Sequence, residues 1–351
     1  MSAKIPRILA LAVLLLVGWL AAPPPAAAAG PSFAGKTVTM IISSEAGGGT
    51  DLTARLIAPV MARHLGGEPT VIYKFITAAG GVAALNQLYT QAEPDGLTFL
   101  IGAGNQLNPV VLRRPEIKYD PTRLALIGGF VNPTSLLLVR KEVVPLLKGH
   151  SEKPIHMGVL DGTRSGDLIA LWAGQALGWN LNLVVGYGGT QGMRLALQRG
   201  EVDMMSNNDL ALVQPMLDSG EAVVFAQNGN FANGKLTRSV AFPDVPLISD
   251  LVADRLDEPA MRAYRVWERQ ALIGKWLTLP PRTPAPITQA YREAFAAAVE
   301  DAEVRQGLAK LISPYISVMT AADVAEIIAD MVATTDDSLH YIDGLTKRFR
   351  K

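Results

Sequence analysis

Short apolar runs alternate with longer amphipathic stretches along most of the chain. The apolar run over 37–42 is followed by a glycine-rich turn and by an amphipathic stretch over 52–65. Short apolar runs bounded by turn residues are typical of strands, whereas apolar residues spaced three and four apart are typical of helices. The pattern therefore predicts a strand–loop–helix unit near the start of the chain.

The same unit recurs further along. Predicted strands follow over 70–73, 97–102, 155–160, 181–185, 202–205 and 222–226, and predicted helices over 82–91, 167–177, 191–199 and 214–218. Strands that alternate with helices indicate an α/β protein with mainly parallel sheets. The C-terminal part differs, because proline-rich segments at 242–246 and 279–286 precede long helical patterns over 287–311 and 321–349.

An apolar stretch over 124–139 contains Gly128, Gly129 and Pro133. It predicts a strand that leaves one lobe, a break, and a strand that enters a second lobe, and the strand over 222–226 is predicted to return. A length of 351 residues also favours two lobes. We therefore predict lobe 1 over 30–131 plus 231–351 and lobe 2 over 132–230. A chain that crosses between lobes in this way places a ligand cleft between them.

Residues 1–29 have the pattern of an export signal. Lys4 and Arg7 precede an apolar run over 8–22, which is followed by prolines and by an alanine tract that ends at Ala29. The run is shorter than the roughly 20 apolar residues of a spanning helix, and small residues of this kind precede a signal cleavage site. We expect export to the periplasm with cleavage near Ala29, and an uncleaved N-terminal anchor is the alternative.

Composition excludes several classes of protein. Lys plus Arg and Asp plus Glu both number 32, so the net charge is zero, and no basic stretch favours nucleic acid as a partner. The absence of cysteine excludes disulfides, thiol catalysis and thiolate metal sites. No Walker P-loop, G-x-G-x-x-G or H-E-x-x-H motif occurs. We therefore expect no nucleic-acid partner, no metal and no cofactor.

The loop Ala46 to Asp51 is the first candidate binding element. It follows a predicted strand and opens a predicted helix, so unhindered backbone N–H groups and the positive end of the helix dipole converge at Gly48, Gly49, Thr50 and Asp51. Such a position binds an anion, and because no lysine follows the glycines, a carboxylate is a simpler guest than a nucleotide phosphate. The alternative is a tight turn in which Thr50 or Asp51 only caps the helix.

Two further loops occupy the same strand-to-helix position. Ala79, Gly80 and Gly81 follow the next predicted strand, and loops after parallel strands meet at one edge of a sheet. In lobe 2 the equivalent turn adds two hydroxyls and a guanidinium, from Thr163, Arg164 and Ser165. A guanidinium binds a carboxylate bidentately, although a solvated surface position for this arginine is equally compatible with the sequence.

Enzyme signatures are weak. The four histidines are scattered, and the surroundings of Ser165 do not form a G-x-S-x-G nucleophile elbow. Glu201 and Asp203 are close in sequence, but no acid or base partner is positioned beside them. An exported hydrolase that uses Ser165 or Asp203 is therefore disfavoured, and we expect a protein that is not an enzyme.

Several short motifs occur in order along the chain: Ala46 to Asp51, Ala79-Gly80-Gly81, Pro94-Asp95-Gly96-Leu97-Thr98, Asn108-Pro109, Tyr119-Asp120-Pro121, Tyr187-x-Gly189, Gly200-Glu201-Val202-Asp203, Phe242-Pro243-Asp244-Val245-Pro246 and Leu279-Pro280-Pro281-Arg282-Thr283-Pro284. In this order they resemble the periplasmic solute-binding proteins of tripartite tricarboxylate transporters, also called the Bug receptors. Together they extend over nearly the whole mature chain.

The resemblance implies a two-lobe periplasmic-binding-protein fold of the Venus-flytrap type, with crossover strands at the hinge. It implies capture of a small organic acid and delivery to the membrane permease subunits of a tripartite tricarboxylate transporter; a receptor of the same fold that feeds a membrane sensor kinase is the alternative. By position, the family's ligand contacts correspond to Gly48, Gly49, Thr50, Asp51, Ala79, Gly80, Gly81, Thr163, Ser165 and Asp203.

This chain departs from the family pattern at the mouth of the site. The family's Pro-Phe before the glycine-rich loop is replaced by Ser43-Ser44-Glu45, and its Asn-Arg-Pro-Gly by Phe75-Ile76-Thr77-Ala78. Glu45 would repel a second carboxylate if it pointed inward. Either this side chain faces solvent, or the ligand carries a cationic or neutral end there.

Overall fold

The computed structural model describes residues 31–132, 134–148, 152–159, 166–187, 190–208, 210–232, 235–311, 314 and 316–349. The predicted export signal and the candidate residues Thr163, Arg164 and Ser165 lie outside these described residues. The structural statements below concern the described ranges.

The strands agree closely with the predicted apolar runs in the first two thirds of the chain. They are β1 (Thr37–Ile42), β2 (Thr70–Phe75), β3 (Thr98–Ala103), β4 (Ala125–Val131), β5 (Leu136–Arg140), β6 (Ile155–Gly158), β7 (Leu181–Val184), β8 (Met204–Asn207), β9 (Ala222–Gln227), β10 (Asn230–Ala232), β11 (Lys235–Thr237), β12 (Ile273–Leu279) and β13 (Val318–Thr320).

Helices connect most of these strands. They are α1 (Gly49–His64), α2 (Val82–Gln91), α3 (Pro109–Leu112), α4 (Leu168–Leu177), α5 (Thr190–Arg199), α6 (Leu210–Asp218), α7 (Ile248–Val252), α8 (Glu258–Leu272), α9 (Ala285–Glu300), α10 (Ala302–Leu311), α11 (Ala321–Val332) and α12 (Asp336–Phe349). Short 3-10 segments occupy Ala78–Gly81, Gly104–Leu107, Pro121–Arg123 and Lys141–Lys148.

The fold contains two mixed sheets flanked by helices, which confirms the predicted α/β two-lobe class. Sheet 1 has the order β13-β4-β12-β3-β1-β2, and sheet 2 has the order β7-β6-β8-β5-β9. Pairing is parallel within the β–α units, between β1 and both β2 and β3, and between β6 and both β7 and β8. The strands near the crossings between sheets, β4, β12, β5 and β9, pair antiparallel.

Sheet 1 is covered by helices on both faces. Adjacent residues of a strand point to opposite faces, and Met40 and Ile41 accordingly belong to different cores. The core with Met40 includes residues of α1 and α9, and the core with Ile41 includes residues of α2 and α11. In β12, Trp276 and Leu277 divide in the same way. Both faces of the sheet are therefore largely apolar.

The core on one face of sheet 2 recruits helices from late in the chain. Trp172 of α4 packs against Tyr264 and Trp267 of α8, with ring centroids 5.4 and 6.3 Å apart, and Leu345 and Phe349 of α12 join the same core. These late segments fall within the range that the sequence assigns to lobe 1. The exact domain boundaries stay a prediction.

Two long predicted helices are each divided in the structure. The pattern over 287–311 breaks at Asp301, whose Oδ1 accepts hydrogen bonds from the N–H groups of Glu303 and Val304 at the start of α10. The pattern over 321–349 breaks before α12, where the hydroxyl of Thr335 accepts from the N–H of Ser338. Helix α8 and strand β12 were not predicted at all.

Candidate ligand-binding site

Three loops and the start of one strand meet at a single edge of sheet 1. The loops follow the carboxyl ends of β1, β2 and β3, which are parallel neighbours. Strand β12 runs antiparallel to β3, with Lys275 opposite Ala103, so its amino end lies at this same edge. The chain crosses to sheet 2 here as well, because Val131 at the end of β4 lies opposite Ile273. The predicted pincer of loops thus lies beside the crossing between the two sheets.

The first loop presents the start of α1 without a side-chain cap. Gly48 is the N-cap residue and has extended backbone angles, and no side chain accepts a hydrogen bond from the first turn. The first N–H groups of an α-helix have no partner within the helix, and they carry the positive end of its dipole. The N–H groups at Gly49 and Thr50 therefore form the kind of position that binds an anion.

Asp51 has a structural task in this loop. Its buried carboxylate accepts hydrogen bonds from the N–H of Gly47, 2.7 Å away, and from Nε of Arg55, 2.8 Å away. The Arg55 guanidinium also lies over the ring of Tyr73 in β2, 5.1 Å from its centroid. The Asp51 side chain thus fixes the glycine turn and is occupied, which leaves its backbone N–H as its possible ligand contact.

The second loop has a backbone that requires glycine. Ala79, Gly80 and Gly81 have φ angles of 53°, 64° and 88° in succession, and this left-handed region disfavours side chains. A β-carbon at Gly81 would lie 2.0 Å from Nε2 of Gln106 and 2.4 Å from the carbonyl oxygen of Ser43. This close approach of the first two loops explains the glycine at position 81.

The third loop, after β3, ties the other two together through Gln106. This side chain is fully buried, and its Nε2 donates to the hydroxyl of Ser43 at 2.8 Å and to the carbonyl of Gly80 at 3.2 Å. Its Oε1 accepts from the N–H of Ala103 at 3.0 Å. The sequence analysis missed Gln106, because a glutamine after a strand has no motif of its own.

Lys275 is a second residue that the sequence analysis missed. A β-carbon built at Gly49 would lie 3.8 Å from its Nζ, which puts the ammonium group beside the start of α1. Burial lowers the pKa of this ammonium group. Among the described residues it forms no ion pair and no side-chain hydrogen bond. The hydroxyl oxygen of Ser44 is likewise buried without a hydrogen-bond partner in the described part of the chain.

Glu45 is exposed at the tip of the first loop. Both alternatives that the sequence left open for this carboxylate stay predictions, because an exposed side chain can face bulk solvent or an open ligand cleft. Its backbone carbonyl accepts a hydrogen bond from the N–H of Gly48 at 3.3 Å.

In sheet 2, Asp203 lies away from these loops. The register pairs Leu136 with Asn207 and Val139 with Met204, so residue 203 is at the end of β8 that is remote from the crossing at 132–135. Its Oδ2 accepts from the N–H of His156 at 2.8 Å, and its Oδ1 lies 3.8 Å from Arg140. The structure does not bring Asp203 together with the candidates of the sheet 1 loops, and the site we describe omits it.

The third predicted loop ends near the crossing. A β-carbon at Gly166 would lie 3.4 Å from Oγ of Ser135 and 3.5 Å from Oγ of Ser206, and Ser206 donates to Oδ1 of the buried Asp167 at 2.8 Å. Sheet 2 thus presents hydroxyl groups at its end nearest the crossing. Thr163, Arg164 and Ser165 precede this end, outside the described residues, and their roles stay a prediction.

A pocket of about 510 Å³ adjoins the third loop of sheet 1. Residues of sheet 1 loops and of the helices on sheet 2 line it together, namely Asn105, Asn108, Leu168, Trp267, Gln270 and Ile342. The two halves of the fold therefore enclose space between them.

Within the described ranges, no helix is long and apolar enough to cross a membrane. No group of three or more His, Cys, Asp or Glu that suits a metal ion was found in that same part of the chain.

Comparisons with known proteins find relatives by sequence. No family model matches the chain. A UPF0065 protein of Agrobacterium vitis, from the TAR-I ttuE-ttuC' intergenic region, is 25% identical over 288 residues, which is 80% of this chain and 76% of that protein. A UPF0065 protein of Bordetella pertussis is 27% identical over 241 residues, 66% of this chain and 71% of that protein. UPF0065 is the family of the Bug proteins.

Solved structures of solute-binding proteins share the fold. A TctC solute-binding protein from Polaromonas superposes with a TM-score of 0.65 at 18% identity, over 89% of this chain and 98% of that one. The periplasmic binding protein BugD gives 0.51 at 21% identity, over 89% and 97%. A Rhodopseudomonas palustris protein solved with adipate gives 0.53 at 20% identity, over 89% and 97%.

The first two of these neighbours are a solute-binding protein and a periplasmic binding protein. The resemblance indicated by the sequence motifs is confirmed: this chain has the fold of the TctC/Bug solute-binding proteins of tripartite tricarboxylate transporters and resembles that family in sequence.

Proposed function

We propose that this protein is a periplasmic receptor that binds a small carboxylate between its two lobes. The observation that carries the proposal is the uncapped start of α1 at the sheet edge where three loops converge beside the crossing. Unpaired N–H groups at a helix start favour a negatively charged group. The fold shared with TctC and BugD, and with a protein solved with adipate, supports the same class of ligand.

Loop rigidity would raise the affinity of this position for its ligand. Gln106 holds the first and second loops through Ser43 and Gly80, and Asp51 holds the glycine turn from the other side. Because these donors are fixed before the ligand arrives, little conformational entropy is lost on binding. The hydroxyl of Ser135 would complete the site from sheet 2 when the lobes close by a hinge motion.

A proline substitution at the start of α1 tests the binding site. Proline is tolerated at the first position of a helix, but it has no N–H, so Gly49→Pro removes one donor and leaves the helix intact. The matched control is Ala321→Pro, at the same position of α11, where the N-cap Thr320 has similar extended angles. The assay is a thermal-shift panel of propionate, succinate, adipate, propane-1,2,3-tricarboxylate, benzoate and aspartate.

We expect at least one carboxylate to stabilise the wild-type protein by about 2.7 kcal/mol at a hundredfold excess over its dissociation constant, a shift of several degrees. Gly49→Pro should weaken that ligand by about 10- to 100-fold, because a hydrogen bond to a charged group is lost, and Ala321→Pro should not. A panel without any shift, or an unchanged affinity in Gly49→Pro, would contradict the proposal.

We further propose that the protein is exported through residues 1–29 and delivers its ligand to the permease subunits of a tripartite tricarboxylate-type transporter. The family resemblance supports this partner. The test is uptake of the identified carboxylate, labelled with carbon-14, by cells that lack the gene. Lost uptake that returns with the wild-type gene is the expected result, and intact uptake combined with a lost transcriptional response would indicate a sensor kinase instead.

A further inference from the structure

Lys275 has an unusual position for a lysine. It lies in β12 (Ile273–Leu279), between sheet neighbours β3 and β4, where it is the one charged residue of the strand. Side chains two residues apart in a strand share a face, and Leu277 belongs to the core that contains α1. Lys275 therefore points to the α1 side of sheet 1, one step closer than Leu277 to the edge where the loops converge.

Nothing in the described part of the chain compensates the charge of Lys275. Lys275 is half-buried, and a lysine partly withdrawn from water usually has a carboxylate beside it, because removing an unpaired charge from water is costly. Its pKa is lowered, and burial is the cause, without an opposing contribution from a nearby carboxylate. The acidic side chain in the first turn of α1, Asp51, is already occupied by Gly47 and Arg55.

The surroundings of Lys275 are positive and rich in donors. Its Nζ lies 3.8 Å from the position of a β-carbon at Gly49, beside the N–H groups and the positive dipole end of α1. The Lys275 ammonium group and the positive end of the α1 dipole repel each other across this short distance. A bound anion between them would offset that repulsion. The buried, unpartnered hydroxyl of Ser44 lies in the loop that leads into the same turn.

We propose that Lys275 supplies the positive charge that binds the ligand's carboxylate and that it selects an ionised carboxylate against its neutral amide. The proposal rests on the proposed function and adds a residue to it. In the arrangement implied by the family resemblance, backbone N–H groups, hydroxyls and waters hold the carboxylate, and none of these carries a full charge. A lysine at this position makes the recognition charge-dependent, because a salt link in a low-dielectric cleft is stronger than one in water.

The experiment compares charged and neutral forms of one probe. Binding of adipate, of its monoamide adipamate and of its diamide adipamide is measured by calorimetry for wild type, Lys275→Met, Lys275→Arg and Lys36→Met; succinate with its two amides serves as a second series. Lys36→Met is the matched control, because it removes the same charge from an exposed side chain at the opposite end of β1. Unfolding curves establish that each variant is folded.

We expect Lys275→Met to lose about 100-fold in affinity for the dicarboxylate, and to lose most of the wild-type preference for the dicarboxylate over the diamide. Lys275→Arg should keep part of that preference, and Lys36→Met should match wild type. If wild type binds these carboxylates and Lys275→Met binds them equally well, or loses acid and amide alike, the assignment of Lys275 is overturned while the proposed function stands. If wild type binds no member of the six-compound panel described above, the proposed function fails, and this inference with it.

Discussion

The side-chain amide of Gln106 donates a hydrogen bond to the hydroxyl of Ser43, 63 residues earlier in the chain, at 2.8 Å. The same amide reaches Gly80 and the N–H of Ala103, so one buried side chain joins the loops that follow β1, β2 and β3. The carbonyl of Gln106 accepts in turn from the hydroxyl of Tyr119 at 2.6 Å. The geometry of the proposed site therefore depends on a residue that need not touch the ligand.

Replacing Gln106 by leucine keeps the volume and removes the amide. The N–H of Ala103 and the hydroxyl of Ser43 then lose buried partners, and each unsatisfied group costs about 1–3 kcal/mol. We expect Gln106→Leu to lower the free energy of unfolding by about 3 kcal/mol in urea denaturation and to weaken carboxylate binding. Gln91→Leu, at an exposed position at the end of α2, is the control and should change neither quantity appreciably.

Glycine at position 81 is required for two independent reasons, its φ of 88° and the absence of space for a β-carbon. Gly81→Ala should therefore destabilise the protein by about 3 kcal/mol or more and displace Ser43 and Gln106. Gly344→Ala in α12 is the matched control, because a β-carbon there meets nothing within 4 Å. That variant should be neutral or gain about 0.5–1 kcal/mol from helix propensity. Equal thermal stabilities of the two variants would contradict this account.

The link between Asp51 and the glycine turn predicts an effect on binding without direct ligand contact. Asp51→Ala removes the acceptor for the N–H of Gly47 and the partner of Arg55, so the first loop should become more mobile. We expect a loss of about 1 to 2 kcal/mol in stability and a weaker affinity for carboxylates.

The control is the exposed pair of Glu258 with Arg262, which has the same spacing in a helix. Glu258→Ala should cost no more than about 0.5 kcal/mol. Hydrogen exchange at residues 46–50 reports the loop directly; unchanged exchange in Asp51→Ala would argue against this role.

Much of the fold could be predicted from apolar periodicity alone. The bounds of β1 and α2 match the predicted runs, because each is a short, regular segment between strong turn residues. Strand β12 escaped prediction, because Lys275 interrupts its apolar run and α8 precedes it without a loop. The break at Asp301 escaped as well, since the helical spacing continues through it and only the capping bonds of its carboxylate end one helix and begin the next.

The site was predictable where it depends on backbone and not where it depends on distant side chains. Glycines 47–49 and 80–81 reveal loops that need left-handed angles or close approach, and the structure brings these loops to one edge. Gln106 reaches that edge from a third loop, and Lys275 reaches it from a strand in which it pairs with Ala103, 172 residues earlier in the chain. Their contribution is set by tertiary pairing, which no local pattern records. A lone lysine in an apolar run is the one signal that would have drawn attention to Lys275.

A binding role for Lys275 also predicts how stability depends on pH in the ligand-free protein. Burial lowers the pKa of Lys275 below the ordinary 10.5. Between that lowered pKa and 10.5, the unfolded chain binds more protons than the folded chain. The free energy of unfolding therefore rises with pH across this window. Below that window the half-buried ammonium is charged in both the folded and the unfolded chain, and its partial burial lowers stability. Lys275→Met should therefore be more stable than wild type at neutral pH, by about 1 kcal/mol. This advantage should shrink as the pH rises through the window, because wild type then loses the charge.

Urea unfolding from neutral pH upward measures the difference, and Lys36→Met in parallel reports any general effect of alkali and of the lost charge. A Lys275→Met variant that is less stable than wild type at every pH would mean that the lysine supports the fold, and would remove the argument that its charge is held in reserve for a ligand.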